Sequence, residues 1–214
     1  MRVIVGFEAS GVVRRAFAKL GHEAWSCDLR PAEDGSDHHI QGDIWDAIAS
    51  RSWDLGIFHP PCTYLTRASW WALGDGPYHQ KLKPDTPVGA RRRALAEDAL
   101  DVVRRLMALP FRKAIENPRG LISKRIRMHD QIVCPWWFGH DAHKEFCLWL
   151  DGLPKLKATN YIAPRAIIDG KPRWSNQTDS GQNRLPEGED RWIERSRTYE
   201  GMAAAMASQW GVFA

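Results

Sequence analysis

Two short stretches of this 214-residue chain carry residues able to do covalent chemistry. In the first, His59-Pro60-Pro61-Cys62, a thiol directly follows the apolar run Trp53–Phe58. In the second, Glu116-Asn117-Pro118, a carboxyl directly follows Phe111–Ile115. Both runs read as buried strands halted by proline, which lacks a ladder donor and fixes its own φ. A thiol on a stiff turn suits a nucleophile, and a carboxyl held beside it suits an acid. Taken singly, each has a plainer reading: a small buried cysteine after a turn, and a solvated or salt-bridged glutamate. The pairing changes that, because a helix separates the two strands. A right-handed crossover makes them parallel neighbours, with Cys62 and Glu116 at one crevice. The carboxyl ends of an open α/β sheet are where ligands bind.

The remaining elements must supply that sheet. Arg2–Gly6 is a β-branched run and a good buried strand. The loop Phe7-Glu8-Ala9-Ser10-Gly11 follows, then a helix over Val12–Leu20 stopped by Gly21. His22–Cys27 reads as a second strand ending on Asp28. This is the βαβ layout for an adenosine-type ligand, with a carboxylate placed to accept from ribose hydroxyls. Neither GxGxxG nor a P-loop lysine is present. His39–Gly42 is a short third strand, and Ile44–Ser50 a helix. Asp43 either caps that helix or contacts a ligand's base.

After Cys62 the chain runs through Thr63–Thr66 and Trp70-Trp71 to Pro87, an irregular segment that reads as a lid or substrate loop. Gly89–Leu109 is the strongest helix, with Leu95, Ala99, Val102, Leu106 and Leu109 as its apolar stripe. Arg91, Arg92 and Arg93 read as a solvated face, with phosphate contact as the sharper alternative. Gln131–Cys134 and Phe146–Leu150 are the closing strands, joined by the aromatic turn 135–139. Residues 1–150 thus form a catalytic domain and 151–197 a small, polar, loop-rich substrate lobe. Residues 198–214 hold a final helix over Tyr199–Trp210, capped by Ser196 or Thr198, that packs back on the domain.

Composition narrows the class. With 43% hydrophobic and 26% charged residues the chain is a soluble globular type, and its net charge of +4 permits a phosphate-bearing partner without demanding one. Eleven tryptophans suit core packing first and base stacking second. The four cysteines form no CxxC pair, which argues against zinc or a disulfide framework and for a reducing compartment. No apolar run approaches the roughly 18 residues that span a bilayer, and no leader pattern opens the chain. The expectation is a cytoplasmic protein without membrane or obligate protein partner.

In order, Gly6-Phe7-Glu8-Ala9-Ser10-Gly11, Asp28, Gly42-Asp43, Pro60-Pro61-Cys62 and Glu116-Asn117-Pro118 resemble the motifs of the DNA cytosine 5-methyltransferases. The likeness is strongest to small phage and prophage members, whose loop runs Pro-Pro-Cys-Thr-Tyr-Leu-Thr and whose closing motif looks like Thr198-Tyr199-Glu200-Gly201-Met202-Ala203. The resemblance implies a Rossmann-like class I methyltransferase fold: a mostly parallel seven-stranded sheet with one antiparallel strand and helices on both faces. It implies S-adenosylmethionine as cofactor, with Phe7, Ser10 and Gly11 at the methionine end, Asp28 at the ribose, Asp43 by the adenine and Pro60 by the methyl donor. Glu8, Leu29, Ile44, Tyr199 and Gly201 are further cofactor-binding residues that it implies. It implies Cys62 as nucleophile on carbon 6 of cytosine and Glu116 as the partner of ring nitrogen 3. Pro61, Asn117, Pro118, Lys144 and Arg67 fall on the substrate side, Arg67 or Lys144 being the candidate that lowers the thiol's pKa. The partner is then nucleic acid, DNA first, in the bacterial host of a phage or prophage.

Four departures mark this chain. His59 stands where the family usually has glycine, and Thr63 where it has Gln or Ser. The family's Gln-x-Arg-x-Arg strand has only a partial echo in Gln182-Asn183-Arg184. The lobe, fewer than fifty residues long, is too small for the usual target recognition domain. The same chemistry on RNA or a free pyrimidine nucleotide, and a catalytically silent nucleic-acid-binding protein of this fold, are therefore the alternatives. A zinc deaminase is excluded because Cys62 has no second cysteine three residues on.

Overall fold

A computed structural model describes residues 1–78, 82–184 and 191–212. Parts of two expected loop segments, residues 79–81 and 185–190, lie outside that range. Seven strands form one sheet in the order β3-β2-β1-β4-β5-β7-β6. They are β1 (Arg2–Gly6), β2 (Glu23–Asp28), β3 (His39–Gln41), β4 (Leu55–Phe58), β5 (Arg112–Asn117), β6 (Gln131–Val133) and β7 (Phe146–Asp151). Neighbours from β3 through β5 pair in parallel, and β7 runs antiparallel to both β5 and β6. This is the Rossmann-like α/β architecture that the sequence motifs imply.

Alternation along each strand divides the core in two. Val3, Val5 and Ile57 face α1 (Val12–Lys19) and α6 (Glu200–Trp210), where Phe17 and Met206 are fully buried. Ile4, Phe58 and Ile115 face α2 (Ile44–Ala49), α3 (Gly89–Met107) and α4 (Leu121–Arg125). With both faces covered, every residue of β4 is buried, which is why it reads as an unbroken apolar run. Trp53, Trp149 and Trp210 are buried in this packing, and Trp174 is buried apart from it, stacked on Trp136 and His143.

Several expected details are corrected. The buried stripe of α3 is Arg92, Ala96, Leu100, Val103 and Leu106. Leu95, Ala99, Val102 and Leu109 flank it, half-buried. The arginine run is thus not a uniform solvated face. The segment after Cys62 contains a 3-10 helix, Arg67–Leu73. Neither Ser196 nor Thr198 caps α6; Tyr199 holds the N-cap position, without a side-chain bond. The lobe holds a hairpin, β8 (Ala166–Ile168) with β9 (Lys171–Arg173), and a short helix, α5 (Arg191–Ser196). No helix among the described residues is long and apolar enough to cross a membrane.

Candidate active site

The parallel register of β4 and β5 sets Phe58 opposite Ile115. The next residue on each chain, His59 and Glu116, therefore meets its counterpart, with Nδ1 3.1 Å from Oε2. One residue further, Asn117 Nδ2 donates to the Pro60 carbonyl at 2.7 Å, so the two proline-halted strand ends are tied together. Asn117 is buried and committed to this bond, which gives it a structural task whatever else it does.

Cys62 sits on the turn this creates, its carbonyl accepting from the amides of Leu65 and Thr66 at 3.0 Å each. The loop is then stitched to its surroundings. Leu121 N–H donates to the Leu65 carbonyl and Arg67 N–H to the Arg119 carbonyl, both at 2.8 Å. Buried Arg92 donates to the Thr63 carbonyl at 2.5 Å and lies over the Tyr64 ring. This fixed loop presents an exposed thiol, while Cys27, Cys134 and Cys147 are buried.

Burial of its surroundings is the main force raising the Cys62 pKa; the Glu116 carboxylate adds to it, and Lys144 and Arg195 oppose it. The net shift is upward, so the resting thiol is protonated at neutral pH. Of the two cations named from sequence, Lys144 is at the site. Its Nζ donates to the Arg195 carbonyl at 2.5 Å, and burial pulls its own pKa down against the fields of Glu116 and Cys62. Arg67 is exposed at the start of the 3-10 helix. Arg195 was not expected. It arrives on α5, and no local pattern announces it.

The carboxyl ends of β1, β2, β3 and β4 form the other half of the crevice. Phe7 adopts a left-handed φ of 61°, turning the chain out of β1. Glu8 folds back, and its carboxylate accepts from the Val13 and Arg14 amides at 2.7 and 3.3 Å. Burial raises its pKa most, with His59 and those two amides pulling it down. The free amides opening α1 are the usual seat for a phosphate, and here the chain's own carboxylate takes it. Gly11, at φ 66°, leaves room for the Arg14–Asp34 ion pair, since a Cβ there would lie 2.4 Å from the Arg14 guanidinium.

Asp28 ends β2 and accepts from the Arg30 amide at 2.9 Å, and Leu29 beside it is 75% exposed. Asp43 is the cap of α2, accepting from Trp45 N–H at 2.7 Å. Ile44 lies in the core and Pro60 is buried, whereas Pro61 is exposed and Pro118 half-buried. Gly201 lets α6 approach Phe138, whose carbonyl would be 1.9 Å from an added Cβ.

A cleft of about 470 Å³ is lined by Ser10, Arg15, Glu33, His140 and Tyr199. A second, of about 510 Å³, is lined by Asn176, Arg184 and Glu194. Arg197, Thr198 and Tyr199 border both, so this strap divides a β1-loop side from a lobe side. Of the residues expected to hold the cofactor, Ser10 and Tyr199 line the first cleft. Asp28, Asp43 and Pro60 stand along the neighbouring strand ends. The partial echo Gln182-Asn183-Arg184 belongs to the lobe side, where Arg184 Nε donates to the Gln177 carbonyl at 2.8 Å.

No protein-family model and no curated protein matches the chain. Among solved structures it is similar to an E. coli protein provisionally described as a DNA modification methyltransferase encoded within a prophage. That match has 16% identity and a TM-score of 0.39 over 70% of this chain. The chain spans less than half of that protein, 46%.

Proposed function

We propose that the protein transfers a methyl group from S-adenosylmethionine to carbon 5 of cytosine in DNA, through a covalent Cys62 adduct and with little sequence specificity. The observation that carries this reading is the meeting of an exposed Cys62 and Glu116 at adjacent strand ends, with a separate crevice alongside. The donor set of that crevice fits the cofactor. Its helix amides are filled by Glu8, which disfavours a phosphate. Asp28 offers an acceptor for hydroxyls and Leu29 an exposed apolar side chain beside it.

Phe7, Ser10 and Gly11 would hold the methionine end, Asp28 the ribose, and Leu29 and Asp43 the base. Ile44 backs the wall from within the core, Gly201 lets α6 close against Phe138, and Tyr199 borders the opening. When bound, S-adenosylmethionine supplies a methyl group made electrophilic by its sulfonium.

Cytosine carbon 5 is a poor nucleophile, and addition of a thiolate at carbon 6 gives it enamine character. Cys62 is the thiol for that step. Glu116 holds ring nitrogen 3 and stabilises the charge that builds up there. The same contact activates the thiol: once Glu116 faces the base as an acid, its carboxylate no longer raises the Cys62 pKa, while Lys144 and Arg195 still lower it. Once carbon 5 carries the methyl group, a base or water takes its proton, the carbon 6–sulfur bond breaks and the thiolate is released. A base in a duplex must leave the stack to reach Cys62. The lobe's hairpin and short helix give little surface for reading sequence, which supports low specificity.

The test uses methyl-labelled S-adenosylmethionine with duplex DNA, single-stranded DNA, RNA and dCMP in parallel. Label on carbon 5 of cytosine in DNA is expected, with Cys62→Ala losing at least about 10⁴-fold in rate while still binding cofactor. Undiminished transfer by Cys62→Ala rules the mechanism out, and label confined to RNA or dCMP replaces the substrate.

A further inference from the structure

We infer that His59 is a positioning residue that locks the Glu116 carboxyl in place and keeps a proton beside it for ring nitrogen 3, an inference that rests on the reading of Glu116 as the acid. The geometry is specific. His59 Nδ1 is 3.1 Å from Glu116 Oε2, and the two side chains are 9% and 12% exposed. One carboxyl oxygen is thus engaged by the imidazole, which leaves Oε1 to face a substrate. His59 Nε2 is buried without a hydrogen-bond partner.

Two carboxyls face the ring. Glu116 approaches from β5, and Glu8 is close enough from the loop after β1 for its carboxyl to feel the imidazole. Cys62, Lys144 and Arg195 surround the Glu116 side of the pair. A carboxyl on either side interacts more favourably with an imidazole that carries a proton than with a neutral one. The contact gives Glu116 a proton source within hydrogen-bond reach. As the sulfur–carbon 6 bond forms from the thiolate, nitrogen 3 takes a proton from Glu116, and Glu116 takes one from His59 Nδ1. On breakdown of the adduct both protons return by the same route.

The experiment has one arm that needs no cofactor or substrate. Cys62, the exposed cysteine, is alkylated with iodoacetamide at pH 7 in wild type, His59→Asn, His59→Gln, Glu116→Gln and the two double variants. Losing the charge on residue 59 leaves Glu116 uncompensated, so labelling should slow about tenfold in H59N and H59Q. In the E116Q background the same substitutions should have no effect. H59N keeps a donor where Nδ1 sits, so a purely structural role leaves its labelling unchanged. The second arm is the pH profile of kcat/KM, whose basic limb should move to lower pH in H59N because the proton must then reside on Glu116 alone. Both variants are checked for cooperative unfolding. DNA methylation with wild-type labelling and an unshifted profile in H59N and H59Q overturns the inference alone. The expected labelling with no methylated product from any substrate overturns the methyl-transfer reading, and the catalytic use of His59 with it.

Discussion

The cysteine loop and the strap that borders it are held by different kinds of bond. Around Cys62 the bonds involve buried groups or backbone: Asn117 to the Pro60 carbonyl, Leu121 N–H to the Leu65 carbonyl and Arg92 to the Thr63 carbonyl. The strap is tied by long side chains near the surface: Arg197 to Glu33 at 2.7 Å and Arg15 to Glu200 at 3.6 Å. Buried hydrogen bonds are costly to leave unmade, whereas exposed ion pairs contribute little and weaken with salt. The Cys62 loop is therefore the fixed side, and the strap is the side able to yield. On the proposed function, that asymmetry would let the site admit a bulky base and then hold it still.

The strongest way to break the contrast is to disturb the stitched loop. Gly120 has an extended backbone, but an added Cβ would lie 1.9 Å from the Leu65 carbonyl oxygen, and backbone on both sides leaves no cheap way out. Gly120→Ala should cost about 3 kcal/mol in chemical denaturation, at the upper end of ordinary overpacking, and should displace Cys62 enough to remove activity. Gly42→Ala is the control, because its added methyl meets nothing within 4 Å. Equal stability for the two variants would mean that the loop is not pinned where its bonds place it.

Electrostatics at the thiol come next in size. Because Glu116 raises the Cys62 pKa and Lys144 lowers it, their removal must act in opposite directions. In Glu116→Gln the pH at which alkylation climbs should fall; in Lys144→Met it should rise, slowing labelling at pH 7.5 about tenfold. A common direction for the two variants contradicts the arrangement.

Most of the scaffold around this contrast was legible in the sequence. Apolar runs stopped by proline announced β4 and β5, and the helix between them announced their parallel pairing. From there, the contact of His59 with Glu116 was within reach, since each follows its strand by the same register. What pattern reading missed has physical causes. The α3 stripe was read one step round the helix, sharing only Leu106 with the buried one, because Arg92 is buried with one guanidinium nitrogen donating to the Thr63 carbonyl, and charges are ordinarily counted as outside. The cap of α6 was misplaced because its Gly201 amide is satisfied by His140 Nε2 at 2.8 Å, a partner remote in sequence. β8 and β9 have only three residues each, too few for a period, although Asp169-Gly170 between them, at φ 50° and 70°, is a hairpin turn signal. Arg195 depends on how the lobe settles over the sheet, which no local spacing encodes.

The smallest effect is the one that isolates the strap. Arg197 and Glu33 have side chains 43% and 26% exposed, so solvent screens their pair and its loss should cost under about 1 kcal/mol of global stability. The local consequence is larger than the global one. Arg197→Ala frees the segment leading into α6 from the loop after β2, so backbone amides at 196–199 should exchange hydrogen several-fold faster, while those of β4 keep wild-type protection. Raising the ionic strength of the wild-type protein should produce part of the same change, because the pair is screened over a Debye length of about 8 Å at physiological salt. A loss of more than about 2 kcal/mol in Arg197→Ala, or faster exchange spreading into β4, would show that strap and cysteine loop open together, and the division of labour between them would fall.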